Sequence, residues 1–77
     1  MTNQTENELT ETQRDVLDFI TQFIKYEGYP PSIRDIGDAF GWSSTNGVKC
    51  HLIALKKKGF IDWIENKART IRVIKHE

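Results

Sequence analysis

The sequence is poor in cysteine and contains no long apolar run. Its one cysteine, Cys50, cannot form a disulfide within the chain, so nothing indicates an oxidising compartment. No apolar run approaches the roughly 18 residues of a membrane span, and the polar residues 1–8 lack the apolar stretch of a signal peptide. We therefore expect a cytoplasmic protein that has no membrane partner.

The residue groups that usually carry catalysis are also missing. There is no glycine-rich phosphate-binding loop. Cys50 and His51, adjacent on a predicted helix, point about 100° apart and make a poor nucleophile–base pair. Cys50, His51 and His76 do not have the spacing of a closed zinc site. The sequence thus predicts no enzyme, no metal or other cofactor, and no small-molecule substrate.

The net charge of zero argues against a nucleic-acid partner, but the distribution of charged residues along the chain argues for one. Residues 1–40 contain three basic and eight acidic side chains, a net charge of −5. Residues 41–77 contain eight basic and three acidic side chains, a net charge of +5. A dipolar domain of this kind can present one face to phosphates and stay neutral overall, so the distribution favours a polyanionic partner.

Capping residues and helical spacing of apolar residues predict three helices followed by a hairpin. The expected start and end residues of the helices are, in chain order, Thr10 and Gly28, Ser32 and Gly41, and Ser44 and Gly59. Two β-rich segments, Phe60–Ile64 and Thr70–Ile74, flank a loop of five residues. We therefore predict a mainly α fold with a small β-hairpin, a three-helix winged helix-turn-helix. It forms one domain over residues 9–75 after a disordered tail, residues 1–8.

The third helix carries the main functional prediction. Its apolar stripe of Val48, Leu52 and Leu55 leaves a mixed polar face pointing away from the core, a face suited to the DNA major groove. Basic residues in the hairpin loop can reach the adjacent minor groove. The predicted DNA-binding residues are Ser44, Thr45, Asn46, Gly47, Lys49, Cys50 and Ile53 on the helix, with Lys67 and Arg69 in the loop.

Two of these residues, and several other prominent residues, also have a purely structural interpretation. Ser44 can serve only as a helix cap, and Asn46 can be solvated. At least one lysine of the run 56–58 is expected to be a solvated helix end. Trp42 and Trp63 are expected to pack against the core rather than stack on bases.

Several segments closely resemble the DNA-binding domain of the LexA repressors. They include residues 28–32 (Gly-Tyr-Pro-Pro-Ser), 41–44 (Gly-Trp-Ser-Ser) and 57–61 (Lys-Lys-Gly-Phe-Ile), and the resemblance covers residues 9–74. It implies a bacterial or phage repressor domain of the SOS response type that reads half of a palindromic operator, usually as a dimer. Ser44 and Asn46 match the residues of that family, whereas Thr45, Lys49 and Cys50 depart from them, so the operator sequence does not carry over.

LexA repressors continue into an S24-type peptidase domain, which dimerises and cleaves the linker with a serine–lysine pair. The sequence reaches Glu77 without such a domain, so we expect no self-cleavage.

Two functions stay open. The first is a sequence-specific regulator of double-stranded DNA, bound as a homodimer or with a protein partner. The alternative is a stand-alone winged-helix interaction module that modulates a repressor, polymerase or other DNA-bound factor, a reading that the outward-facing Cys50 and Ile53 keep open.

Overall fold

Three helices and a two-stranded antiparallel hairpin follow one another in a computed structural model that describes residues 9–75. The helices are α1 (Glu11–Glu27), α2 (Ile33–Phe40) and α3 (Thr45–Lys57). Strand β1 (Ile61–Asp62) pairs with β2 (Arg72–Val73), with Ile61 opposite Val73. The predicted winged helix-turn-helix is confirmed. The predicted disordered tail, residues 1–8, lies outside the described residues.

Local capping explains where the helices begin. The hydroxyl of Thr10 accepts the Gln13 N–H at 3.1 Å and the Gln13 side chain accepts the Thr10 N–H at 3.1 Å, which is a capping box. Ser32 and Asp35 form the same reciprocal pair at the start of α2, with both distances 3.0 Å. Ser44 caps α3 by accepting the Asn46 N–H at 3.2 Å. All three caps were predicted from the sequence.

A glycine lets α2 approach α3 closely at the turn between them. A Cβ built on Gly37 would lie 3.1 Å from the carbonyl oxygen of Trp42 and 3.4 Å from Cγ2 of Val48. The Gly37 carbonyl also accepts the Trp42 N–H at 2.8 Å. A side chain here would require the Trp42 carbonyl to move by a few tenths of an ångström, so Gly37 suits the close approach of α2 to the turn before α3.

One hydrophobic core joins all the elements. No polar or charged side chain is buried within residues 9–75. The buried apolar side chains are Leu9, Val16, Leu17, Ile20, Ile36, Val48, Leu52, Leu55, Phe60, Ile61 and Ile71. Trp42 and Trp63 are partly buried against this core, as predicted, and Trp42 stacks between the rings of Phe40 and His51. Between residues 9 and 75 no helix has the length and apolar character needed to cross a membrane.

The hairpin, here called the wing, has shorter strands than the sequence predicted. Each strand has two residues, where five were expected in Phe60–Ile64 and Thr70–Ile74. Near the loop, the hydroxyl of Thr70 replaces main-chain pairing, because it accepts the Ile64 N–H at 2.9 Å and donates to the Lys67 carbonyl at 3.0 Å. The regular ladder therefore ends early, and the Thr70 hydroxyl, together with a main-chain hydrogen bond of 3.2 Å from the Lys67 N–H to the Ile64 carbonyl, closes the loop.

Candidate nucleic-acid interface

Helix α3 is divided sharply between a buried and an exposed side. Val48, Leu52 and Leu55 are at most 2% exposed, so the helix cannot rotate about its axis without uncovering the core. The predicted DNA-binding residues of the helix and its cap, Ser44, Thr45, Asn46, Gly47, Lys49, Cys50 and Ile53, are all exposed. The packing of one side thus determines which side chains the other side offers.

A groove of ≈ 530 Å³ runs between the exposed side of α3, the start of α2 and the wing. We call it the α3–wing groove. Five of the predicted site residues line it: Thr45, Lys49 and Ile53 from α3, and Lys67 and Arg69 from the wing. The structure therefore places predicted site residues of α3 and of the wing around one groove. The remaining four, Ser44, Asn46, Gly47 and Cys50, do not line the groove but are exposed on α3 and its N-cap.

The N-terminus of α3 differs electrostatically from those of the other helices. Acidic residues occupy the first turns of α1 and α2, namely Glu11 and Asp35, whereas the first turn of α3 contains none. The partial positive charge of the helix dipole is therefore not offset by a carboxylate at this end. Such an end favours a phosphate or another anion.

Sequence comparisons agree with this arrangement. The profile of the LexA DNA binding domain matches residues 6–70. The chain is 48% identical over 64 residues to the LexA repressor of Sorangium cellulosum, which covers 83% of this chain and 28% of that protein. It is 50% identical over 68 residues to the LexA repressor of Thermotoga petrophila, covering 88% of this chain and 34% of that protein. The chain belongs to the LexA DNA-binding domain family.

The predicted resemblance is thereby confirmed over nearly the whole of the predicted range. The chain spans about a third of the length of the LexA repressors that it matches. The matched region of this chain is therefore a LexA-type DNA-binding domain.

Two lysines near the end of α3 make contacts within this LexA-type domain. The ammonium of Lys56 lies 3.5 Å from a carboxylate oxygen of Asp62, 3.9 Å from one of Glu65 and 4.5 Å from the ring centroid of Trp63, all in the wing. The ammonium of Lys58 donates to the side chain of Gln13 at 2.8 Å. These contacts give part of the basic run a structural role.

Arg69 has partners within the chain that the sequence did not suggest. Its guanidinium donates to a carboxylate oxygen of Asp35 at 2.9 Å and to the carbonyl of Pro30 at 3.3 Å. It also lies 5.0 Å from the centroid of the Tyr29 ring. Its predicted role as a DNA contact stays a prediction, as do the roles predicted for the other site residues.

Two carboxyl groups of the domain, those of Asp35 and Asp62, have a lowered pKa, and both are held by structural contacts. The backbone N–H of Ser32 lowers the pKa of Asp35, with help from Arg69 and against a smaller opposing effect of burial. The backbone N–H of Trp63 lowers the pKa of Asp62, with help from Lys56 and Arg72. Both groups stay ionised at neutral pH, which does not suit a general acid. Over residues 9–75, no group of three or more His, Cys, Asp or Glu side chains is placed to hold a metal ion.

The sequence analysis missed the contribution of α2 to the groove. Ser32 at the N-cap and Ile33 and Arg34 in the first turn of that helix line the groove, and Arg34 is exposed. A signal was present, because the first helix of a helix-turn-helix unit crosses the DNA backbone while the second enters the groove. Arg34 was therefore a candidate phosphate ligand from its place in the motif.

Proposed function

We propose that this LexA-type domain binds double-stranded DNA sequence-specifically and represses transcription. The observation that carries the proposal is the division of α3, whose buried side fixes the helix and whose exposed side presents polar groups beside the α3–wing groove. An exposed helix of this kind can enter the major groove, which is wide enough to admit it. The wing then reaches the adjacent minor groove.

The exposed residues divide into those that read bases and those that hold phosphates. Asn46 can pair with adenine through two hydrogen bonds, and Lys49 can reach guanine or a phosphate. Gly47 leaves room for a base edge, since a Cβ there would meet nothing within 4 Å. Ser44 and Thr45 at the open end of α3 suit a phosphate. Cys50 and Ile53 offer apolar contact to a thymine methyl. Lys67 reaches the DNA from the tip of the wing, and Arg69 lies beside it at the edge of the same groove.

We propose that two copies act together on a symmetric or directly repeated site. A single module of this size buries about 600–1,000 Å² on DNA, an area at the low end for specific complexes. The proposed activity of this domain is binding rather than catalysis, and the proposed location is the cytoplasm.

Selection from a random duplex pool near 100 mM salt, followed by fluorescence anisotropy across a salt series, tests the proposal. We expect an enriched motif whose affinity falls with salt, with a slope of about −0.9 per neutralised phosphate. Palindromy of the motif would indicate two symmetric copies. Lys49→Gln should weaken binding, whereas Lys25→Gln, the same charge change on α1 away from the groove, should not. Absence of enrichment and of binding at modest salt would overturn the proposal.

One observation favours the alternative of a protein-interaction module. Ile53 is 46% exposed and lies in the α3–wing groove, where an apolar side chain also suits a protein partner. Ile53→Asp distinguishes the two functions together with Asn46→Ala. If Asn46→Ala and Lys49→Gln leave regulation intact and only Ile53→Asp abolishes it, the partner is a protein.

A further inference from the structure

The orientation of the wing is not determined by its main chain alone. Its strands are two residues long, and an isolated two-stranded hairpin is at best marginally stable in water. Residues 64–69, the tip of the wing, are all exposed, so the hydrophobic core does not position them. Some other contact must hold the tip against the helices, and with it Lys67.

Arg69 makes such a contact across the chain. It joins the tip of the wing to Asp35 in the first turn of α2 and to Pro30 in the preceding turn, with hydrogen bonds of 2.9 and 3.3 Å. Its guanidinium also lies over the Tyr29 ring. Three residues of one short segment, Tyr29, Pro30 and Asp35, therefore hold the side chain of Arg69, which comes from the wing.

The acceptor for Arg69 is itself fixed. The Oδ2 atom of Asp35 that accepts from Arg69 also accepts the Ser32 N–H at 3.0 Å, while the Asp35 N–H donates to the Ser32 hydroxyl. The capping box thus holds the carboxylate in place before Arg69 binds to it. Because the anchor is pre-organised, little side-chain freedom of Asp35 is lost when the ion pair forms.

The backbone at Arg69 gives an independent indication. Its φ angle is 58°, in the left-handed region that residues other than glycine rarely adopt. Conformations of this kind persist when the surrounding contacts determine them. Arg69 has such a backbone conformation, and its side chain contacts Asp35 of α2 instead of extending into solvent.

We propose that Arg69 is a positioning residue that fixes the tip of the wing, and with it Lys67, at the edge of the α3–wing groove. This inference rests on the proposed DNA-binding function. Arg69 acts through Asp35 and the turn before α2, and it keeps that ion pair when DNA is bound. Lys67, on the same loop, makes the phosphate contact.

The decisive test is Asp35→Asn, because the two possible roles of Arg69 predict effects of opposite sign. Asparagine keeps a side-chain oxygen for the Ser32 N–H, so the capping box can survive. If Arg69 positions the wing, loss of the carboxylate weakens DNA binding about two- to fivefold, the range of an exposed ion pair. If Arg69 binds phosphate directly, the variant releases Arg69, removes a repelling charge and tightens binding, which overturns the proposal. Asp38→Asn on the same helix is the matched control.

A double-mutant cycle on the enriched duplex gives a second criterion. A positioning role predicts that Lys67→Gln has a smaller effect in the Arg69→Gln background than in the wild type, because the loop is already displaced there. Additive losses from Arg69→Gln and Lys67→Gln would indicate two separate phosphate contacts and overturn the proposal. Circular dichroism of each variant checks that the fold is intact.

Measurements without DNA separate this inference from the proposed function. Backbone ¹⁵N relaxation should show faster motion of residues 64–70 in Arg69→Gln and Asp35→Asn, but not in Lys67→Gln. Unchanged relaxation in the first two variants overturns the positioning role even if DNA binds. Faster motion together with no duplex bound by the wild type identifies the DNA-binding function as the part that failed.

Discussion

The three-helix unit and the wing are held in place by different forces. Most of the buried apolar side chains come from the helices, and α3 contributes three that are at most 2% exposed. The wing adds Ile61 and Ile71 to the core near its base, but its tip, residues 64–69, is exposed throughout and lies against the helices through charged and aromatic contacts. Lys56 holds it on one side, next to Asp62 and Trp63, and Arg69 holds it on the other, next to Asp35.

This difference separates folding from recognition in the same small domain. Truncation of a large buried side chain typically costs about 2–5 kcal/mol, whereas an exposed ion pair typically contributes about 0–1 kcal/mol. Core contacts therefore determine whether the domain folds. In the proposed function, the contacts of the wing then determine how well the wing is aligned with α3 for binding DNA.

The largest effect is expected from Leu55→Ala on the buried side of α3. Leu55 is 0% exposed, and its truncation should lower the free energy of unfolding by about 2–5 kcal/mol. Urea unfolding followed by circular dichroism measures this. Ile53→Ala, on the exposed side of the same helix, should change it by less than about 0.5 kcal/mol. Equal losses in the two variants would mean that the division of α3 described here is wrong.

An effect on binding but not on folding is expected from Asn46→Ala. The side chain is exposed, so stability should change little, while discrimination against the wrong base should fall by about 1–3 kcal/mol. Anisotropy titrations that compare the enriched duplex with duplexes altered at single A·T pairs measure the loss. Gln22→Ala, an exposed amide on α1, is the control. A uniform loss over all duplexes would assign Asn46 to the DNA backbone instead of a base.

The sequence predicted the helices well because their signals are local. A capping box such as that of Thr10 and Gln13 lies within four residues, and the apolar stripe of α3 repeats within the helix itself. The wing depends on contacts between residues far apart, since Arg69 and Asp35 are separated by 34 positions. No periodicity shows such a pair. The roles of the exposed residues depend on a partner, so for those the sequence yields hypotheses.

A smaller effect is expected from Lys56→Gln. It removes the charge that lies near Asp62 and over the Trp63 ring, both contacts at a partly exposed surface. The free energy of unfolding should fall by about 1 kcal/mol or less. Thermal unfolding measures this shift, and Lys57→Gln, the exposed neighbour, is the control. A loss as large as that of Leu55→Ala would show that the wing belongs to the cooperative core.

The smallest effect is expected from titration of the two carboxylates that anchor the wing, Asp35 and Asp62, because it appears only in acid. The Ser32 N–H lowers the pKa of Asp35 and the Trp63 N–H lowers that of Asp62 in the folded state. Their contribution is therefore fully present above the ordinary pKa of about 3.9 and is lost as the pH falls through the lower folded-state values. Amide chemical shifts of the wing should stay constant from pH 8 to 5 and move below about pH 4. In Asp35→Asn, the shifts near Arg69 should already be displaced at neutral pH, because the ion pair is absent. Movement of the wild-type wing signals between pH 5 and 8 would contradict this account, since both carboxylates remain ionised throughout that range.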